Sequence, residues 1–259
     1  MQVAAIQMRI SDANPEANRR ALAQLLDQAD GVDVCVVPEL WTCGYVNSDW
    51  GEMAHRDTPA TLDWMAAEAK RRRVWLGGSV IVAAPDNTLA NRFVMFGRGG
   101  DLVAWYDKAH LFPPLREDEC LKAGACTPEV FDLEGVRASM AVCYDLRFPE
   151  MFRRLAARQV ELVLVASEWP HPRERALKVL AEARAIENQC YVVLANRVGV
   201  DTQKREFCGQ SAVFGPLGPL AEAGDSVGVV SARLDIDELR GLRARFPVLQ
   251  HRRAGVDFD

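Results

Sequence analysis

Apolar runs of about four to ten residues recur along the chain at steady intervals, and they constrain its fold more than any other feature. They are VAAIQM (3–8), VDVCVVP (32–38), VWLGGSVIVA (74–83), RFVMFG (92–97), LVAWY (102–106), ASMAVCY (138–144), ELVLVAS (161–167), YVVLANRVG (191–199), SAVFGP (211–216) and VGVVSARLD (227–235). Their length and β-branched content predict strands. Several are apolar on successive residues, as expected where both faces of a sheet are covered. Helical patterns lie between them. Asn14 and Pro15 supply a cap and a first-turn proline for a helix to about residue 28, with Ala21, Leu25 and Ala29 on one face. Residues 59–72 carry Leu62, Met65, Ala66 and Ala69 at helical spacing, a short pattern covers 149–158 and a longer one 173–188. This alternation predicts an α/β layered fold. The clustered strands from 74 to 106, joined by DN and GRGGD turns, predict that part of the sheet is antiparallel. GRGGD is glycine-rich, but it sits between two strands rather than before a helix, so it reads as a hairpin turn and not a phosphate cradle. No linker, repeat or low-complexity segment interrupts the pattern, which predicts one domain over residues 1–259.

With 49% hydrophobic residues among 259, the chain can bury a large core without staples. Its seven cysteines (35, 43, 120, 126, 143, 190, 208) are odd in number and irregularly spaced, which argues against a disulfide framework. No CxxC or HExxH occurs and the four histidines (55, 110, 171, 251) are scattered, so neither a metal nor a cofactor is expected. The net charge of -5 gives no reason to expect nucleic acid or an anionic membrane as partner. The start, MQVAAIQMRI, lacks the charged and long apolar regions of a signal peptide, and no stretch approaches the ~20 apolar residues of a membrane span. A cytoplasmic protein acting on a small molecule is the expectation.

Three predicted strands end on reactive groups: the second at Pro38-Glu39, LVAWY at Asp107-Lys108, and ASMAV at Cys143-Tyr144-Asp145. Layered α/β proteins build their sites at such ends. Singly, each has a plain structural role: the cysteine as a small buried hydrophobe, the lysine as a surface charge, the glutamate as a turn cap. Jointly they supply a nucleophile, a base and a cation, the minimum for acyl transfer through a covalent intermediate. A thiol with reference pKa about 8.5 is mostly protonated at neutral pH, so a carboxylate that takes its proton helps to form the thiolate. Attack on an amide carbonyl then puts negative charge on oxygen, which an ammonium and a backbone N–H can stabilise.

PELWTCGY, YDKAHLF and CYDLRFPE resemble, in order and separation, the segments around the glutamate, lysine and cysteine of the nitrilase, or carbon-nitrogen hydrolase, superfamily. The likeness continues through ARAIENQCYVVLANRVG to FPVLQHRR near the end of the chain. It implies a four-layer αββα sandwich with mixed sheets that associates into homodimers. It also implies an amidase of the omega-amidase-like branch, with Glu39 as general base, Lys108 as stabiliser of the tetrahedral intermediate, Cys143 as thioester-forming nucleophile and the Tyr144 amide as a second oxyanion donor. A further family glutamate, in E-x-x-x-L-x-x-G, maps onto Glu117, with Glu119 as the alternative two residues on. SEWPHPR resembles a WP-x-x-R segment that would set Trp169 in the pocket and Arg173 against the carboxylate of an acid such as 2-oxoglutaramate. Tyr45 and its neighbours from Trp41 are implied to shape selectivity. Two departures bear on the substrate: Leu177 stands where a tryptophan is frequent, and Glu168 stands where a small or neutral residue is expected. A charged Glu168 beside the acyl group would repel a dicarboxylic monoamide and favour a neutral or amine-bearing amide. Nitrile or N-carbamoyl hydrolysis by the same triad, and a catalytically silent binding protein, remain as alternatives.

Overall fold

The computed structural model describes residues 1–253; the last six residues of the expected 1–259 domain lie outside the described residues. Strands β1 (Gln2–Gln7), β2 (Val34–Val36), β3 (Trp75–Ala83), β4 (Leu89–Phe96) and β5 (Leu102–Asp107) form one sheet; β6 (Phe131–Leu133), β7 (Val136–Val142), β8 (Leu162–Ser167) and β9 (Tyr191–Asn196) begin a second. β10 (Val198–Val200) and β11 (Glu206–Cys208) pair as a separate ribbon, β12 (Ala212–Gly215) and β13 (Gly218–Glu222) extend the second sheet, and β14 (Gly228–Arg233) returns to the first. The sheet orders are β14-β1-β2-β3-β4-β5 and β13-β12-β9-β8-β7-β6, six strands each.

Strand alternation sorts the residues into layers. In the first sheet Val3, Ala5, Val34, Val36, Phe93 and Met95 face the second sheet and pack in one core with Met140, Val142 and Leu164. Their alternates Ala4, Ile6, Cys35, Leu76 and Val94 face outward onto helices α1 (Pro15–Gln28) and α3 (Thr58–Arg72). On the far side, α5 (Pro149–Ala157) and α6 (Glu174–Asn188) bury Phe152, Leu155, Leu177 and Ala181 against the second sheet. The result is the four-layer αββα sandwich, with both sheets covered on both faces. That double covering is why the sequence runs are continuously apolar. The GRGGD segment is the expected hairpin between β4 and β5, closed by Gly97 N–H to the Asp101 carbonyl at 2.9 Å.

Some local expectations shift. Leu25 and Ala29 are buried and Ala21 packs against the same cluster, as expected, but the buried face of α1 also takes in Asn18, Leu22 and Leu26. Asn18 is turned inward because its amide bonds Ser11 and the Thr42 carbonyl. A helix α2 (Trp50–Arg56) and a short α4 (Glu117–Cys120) occur in stretches with little apolar periodicity, and α7 (Ile236–Arg245) buries only Leu239.

The topology brings the reactive ends together. β2 and β3 run parallel to β1; β4 reverses and β5 reverses again, so β5 points the same way as β2. β7 and β8 are parallel neighbours in the facing sheet, and the Glu39 N–H donates to the Ser167 carbonyl at 3.3 Å, joining the ends of β2 and β8. Within the first sheet, Gly78 on β3 leaves room for the residue that follows β2, because a Cβ there would lie 2.1 Å from Val37 Cγ2.

Candidate active site

Glu39 follows β2 and is fully buried. Its Oε1 accepts from Lys108 Nζ at 2.7 Å, Asn91 Nδ2 at 2.8 Å and the Tyr45 hydroxyl at 3.0 Å; its Oε2 accepts from the Glu168 N–H at 2.9 Å. Four donors fix the carboxylate, and its charge acts on the Cys143 thiol.

Lys108 follows β5 and is likewise fully buried. Its Nζ donates to Glu39 and, at 2.6 Å, to Glu117 Oε2. Glu117 also accepts from the Phe112 N–H at 2.7 Å and from Asn91 at 3.1 Å. Glu119, the alternative, lies on the surface paired with Arg116 at 2.7 Å. Burial alone would drive the Lys108 ammonium to lose its proton, but Glu117 and Glu39 outweigh it and the group stays protonated well above neutral pH. Burial raises Glu117, opposed by Lys108 and reinforced by Glu39. An ammonium has three N–H bonds, and two are given to carboxylates, so one is left for a reacting oxygen. The loop after α4 returns tightly to β5: Gly124 N–H donates to the Lys108 carbonyl at 2.9 Å, and a Cβ on Gly124 would sit 2.0 Å from the Asp107 carbonyl oxygen. Only glycine fits at the end of the E-x-x-x-L-x-x-G stretch.

Cys143 is the first residue after β7, at φ 46°. A non-glycine residue in the left-handed region costs about 1–3 kcal/mol and needs support from its surroundings. Asp145 supplies it: fully buried, it accepts from the Val142 N–H at 2.9 Å, the Tyr106 hydroxyl at 3.1 Å and the His110 N–H at 3.2 Å. The cysteine turn is thereby bolted to the segment that carries Lys108. Burial pushes the Cys143 thiol well above its ordinary pKa, the Glu39 carboxylate adds to the rise, and Lys108 opposes it. At rest this sulfur is a thiol, and to act as a nucleophile it would need a base.

A narrow cleft borders the cysteine, lined by Phe112, Cys143, Tyr144, Arg147, Glu168, Trp169, Pro170 and Arg173. The Arg173 guanidinium stands 5.9 Å from the Phe112 ring and Arg147 5.0 Å from the Trp169 ring. Both arginines are exposed at the rim. Tyr144, Trp169, Arg173 and Glu168 thus meet at the cleft. Tyr45 is not among its lining, and its hydroxyl is spent on Glu39. Glu168 does not present the uncompensated charge expected of it. It is buried, its Oε2 accepts from Arg197 Nη1 at 3.1 Å, and burial, with Glu39 and Asp12 against Arg197, pushes its pKa up to about 8.

Sequence reasoning missed Asn91, Arg147 and Arg197. Asn91 is brought beside Lys108 by the β4–β5 register, which pairs Arg92 with Asp107. A lone amide inside the run LANRFVMF was the available signal, as was the arginine ending YVVLANR for Arg197. Among the described residues no three His, Cys, Asp or Glu side chains gather as a metal would require, and no helix is long and apolar enough to cross a membrane.

The chain is 34% identical over 248 residues to a 2-oxoglutaramate amidase of Bacillus subtilis, covering 95% of each chain. It is 35% identical over 236 residues to the omega-amidase YafV of Escherichia coli K12, covering 90% of each. Among solved structures, a CN-hydrolase superfamily protein of Xanthomonas campestris with an arsenic adduct in its active site superposes with a TM-score of 0.92 at 32% identity, covering 98% of this chain and 97% of that one. A variant of a Nesterenkonia amidase that carries acrylamide added to its active-site cysteine superposes with a TM-score of 0.83 at 29% identity, covering 95% and 98%. The carbon-nitrogen hydrolase profile matches residues 2–244, from the first strand into the last helix, and the chain belongs to that family.

Proposed function

We propose that this protein is a thiol-dependent amidase that hydrolyses the terminal carboxamide of a dicarboxylic acid monoamide, of the 2-oxoglutaramate type, to acid and ammonia. The observation that carries the substrate class is the pair of guanidinium groups, Arg147 and Arg173, at the rim of the cleft over Cys143. Planar guanidinium forks suit a carboxylate. Relatives that act on such monoamides support the same reading.

In this mechanism Glu39 takes the thiol proton as Cys143 Sγ attacks the amide carbon, and the free N–H of Lys108 with the Tyr144 amide stabilises the oxyanion. Glu39 returns the proton to nitrogen, the C–N bond breaks, and ammonia leaves a thioester on Cys143. Water then attacks the thioester with Glu39 again as base, giving the acid and the restored thiol. Glu117 holds Lys108 in place and supplies the second carboxylate that keeps it charged. Tyr45 and Asn91 position Glu39.

Ammonia release from 2-oxoglutaramate, a simple nitrile and an N-carbamoyl amino acid tests the proposal. The monoamide should be turned over with the highest kcat/KM; faster turnover of either of the others would transfer the site to that chemistry.

A further inference from the structure

Glu168 borders the cleft beside Cys143 yet takes no part in the bond-making steps above. Its carboxyl is divided between two settings: Oε2 accepts from Arg197, whereas Oε1 is buried with no hydrogen-bond partner. A buried polar atom left in that state is costly, and a bound molecule that supplies the partner removes the cost.

The surroundings decide what kind of partner fits. Arg197, in the connection from β9 to β10, is committed also to Asp12 Oδ1 at 3.0 Å and the Ile10 carbonyl at 2.9 Å. Glu39 faces Glu168 from the end of β2, Cys43 and Tyr45 from the loop that follows, and Arg147 and Arg173 from across the cleft. One cation thus serves Glu168 and Asp12, with Glu39 nearby. Burial first, and then Glu39 and Asp12, raise Glu168 to about 8 against the pull of Arg197. That environment favours the protonated carboxyl, and with Oε2 occupied by a guanidinium donor, Oε1 is the oxygen left to carry the proton.

We infer that Glu168 is a specificity-determining residue whose Oε1–H donates a hydrogen bond to an acceptor oxygen on the substrate's acyl chain. The cleft then selects monoamides carrying an oxo or hydroxyl oxygen between the amide and the carboxylate over plain monoamides. This rests on the amidase reading above. Ionisation of Glu168 removes the donor and sets a negative charge facing the substrate's carboxylate, so binding weakens as pH rises through about 8.

The test measures kcat and KM for 2-oxoglutaramate and glutaramate from pH 6 to 10 in the wild type, Glu168→Gln and Glu168→Leu. The wild type should favour the oxo compound, and its kcat/KM ratio between the two should fall by about tenfold per pH unit above about 8, through KM. Glu168→Gln, whose amide still donates, should keep the ratio at pH 7 and lose its pH dependence. Glu168→Leu should bring the ratio close to one. A ratio unchanged in both variants, or a pH dependence that survives in Glu168→Gln, overturns the inference while leaving the amidase intact. Ammonia from neither amide in the wild type overturns the functional reading and this inference together. If the leucine variant does not fold, the pH profile of the glutamine variant decides.

Discussion

Two buried clusters built on the same plan sit side by side in this protein. In one, Lys108 is held between Glu39 and Glu117; in the other, Arg197 is held between Glu168 and Asp12. Each is a single cation shared by two carboxyls inside the fold, and the two touch where the Glu168 N–H donates to Glu39. They differ in the cation. Lys108 is a point charge on a flexible stem with one N–H to spare, next to a thiol. Arg197 is a planar fork committed to Glu168, Asp12 and the Ile10 carbonyl, with its guanidinium 4.3 Å from the Phe207 ring. The same arrangement therefore suits two ends: in the proposed mechanism the lysine cluster handles a moving proton and a forming oxyanion, and the arginine cluster holds the loops that shape the cleft.

Substitution of the cations should separate these roles. Lys108→Met removes an oxyanion donor and should lower kcat by about 10²–10³-fold in steady-state assays, with KM changed far less. Arg197→Met should act mainly on stability, by about 3–5 kcal/mol in urea unfolding, because it leaves buried carboxyls without their partner. In the protein that remains folded, its kcat should fall by less than about tenfold. An equal loss of kcat in the two variants would erase the distinction. Glu119→Gln, in an exposed ion pair with Arg116, should change neither kcat nor Tm; a loss of activity there would reopen the assignment of Glu117 as the partner of Lys108.

The contrast also marks how far the sequence could be read. Strands buried on both faces leave unbroken apolar runs, so most of the two sheets, together with α1, α3, α5 and α6, were legible. α7 was not, since one buried leucine makes no periodic face, and β6, β11 and β13 are too short or too exposed to leave a pattern. Glu39, Lys108 and Cys143 were visible because each ends a strand with a reactive group. The partners that orient them were harder to see. Asn91 depends on the β4–β5 register, and in the Glu168–Arg197–Asp12 set the arginine joins residues 29 and 185 positions away. The Glu168 charge was misjudged for the same reason: its neutralising partners come from other loops.

Cys143 as the covalent centre is the claim on which the rest depends, and intact-protein mass spectrometry of acid-quenched turnover tests it most directly. The account predicts that 2-oxoglutaramate adds its own mass less that of ammonia, and that digestion places the adduct on the peptide containing Cys143. It also predicts that Cys143→Ala, folded as judged by circular dichroism, shows no adduct and a kcat lower by on the order of 10⁴-fold or more. Turnover by Cys143→Ala at a rate near the wild type, or an acyl adduct on any other residue, would contradict it.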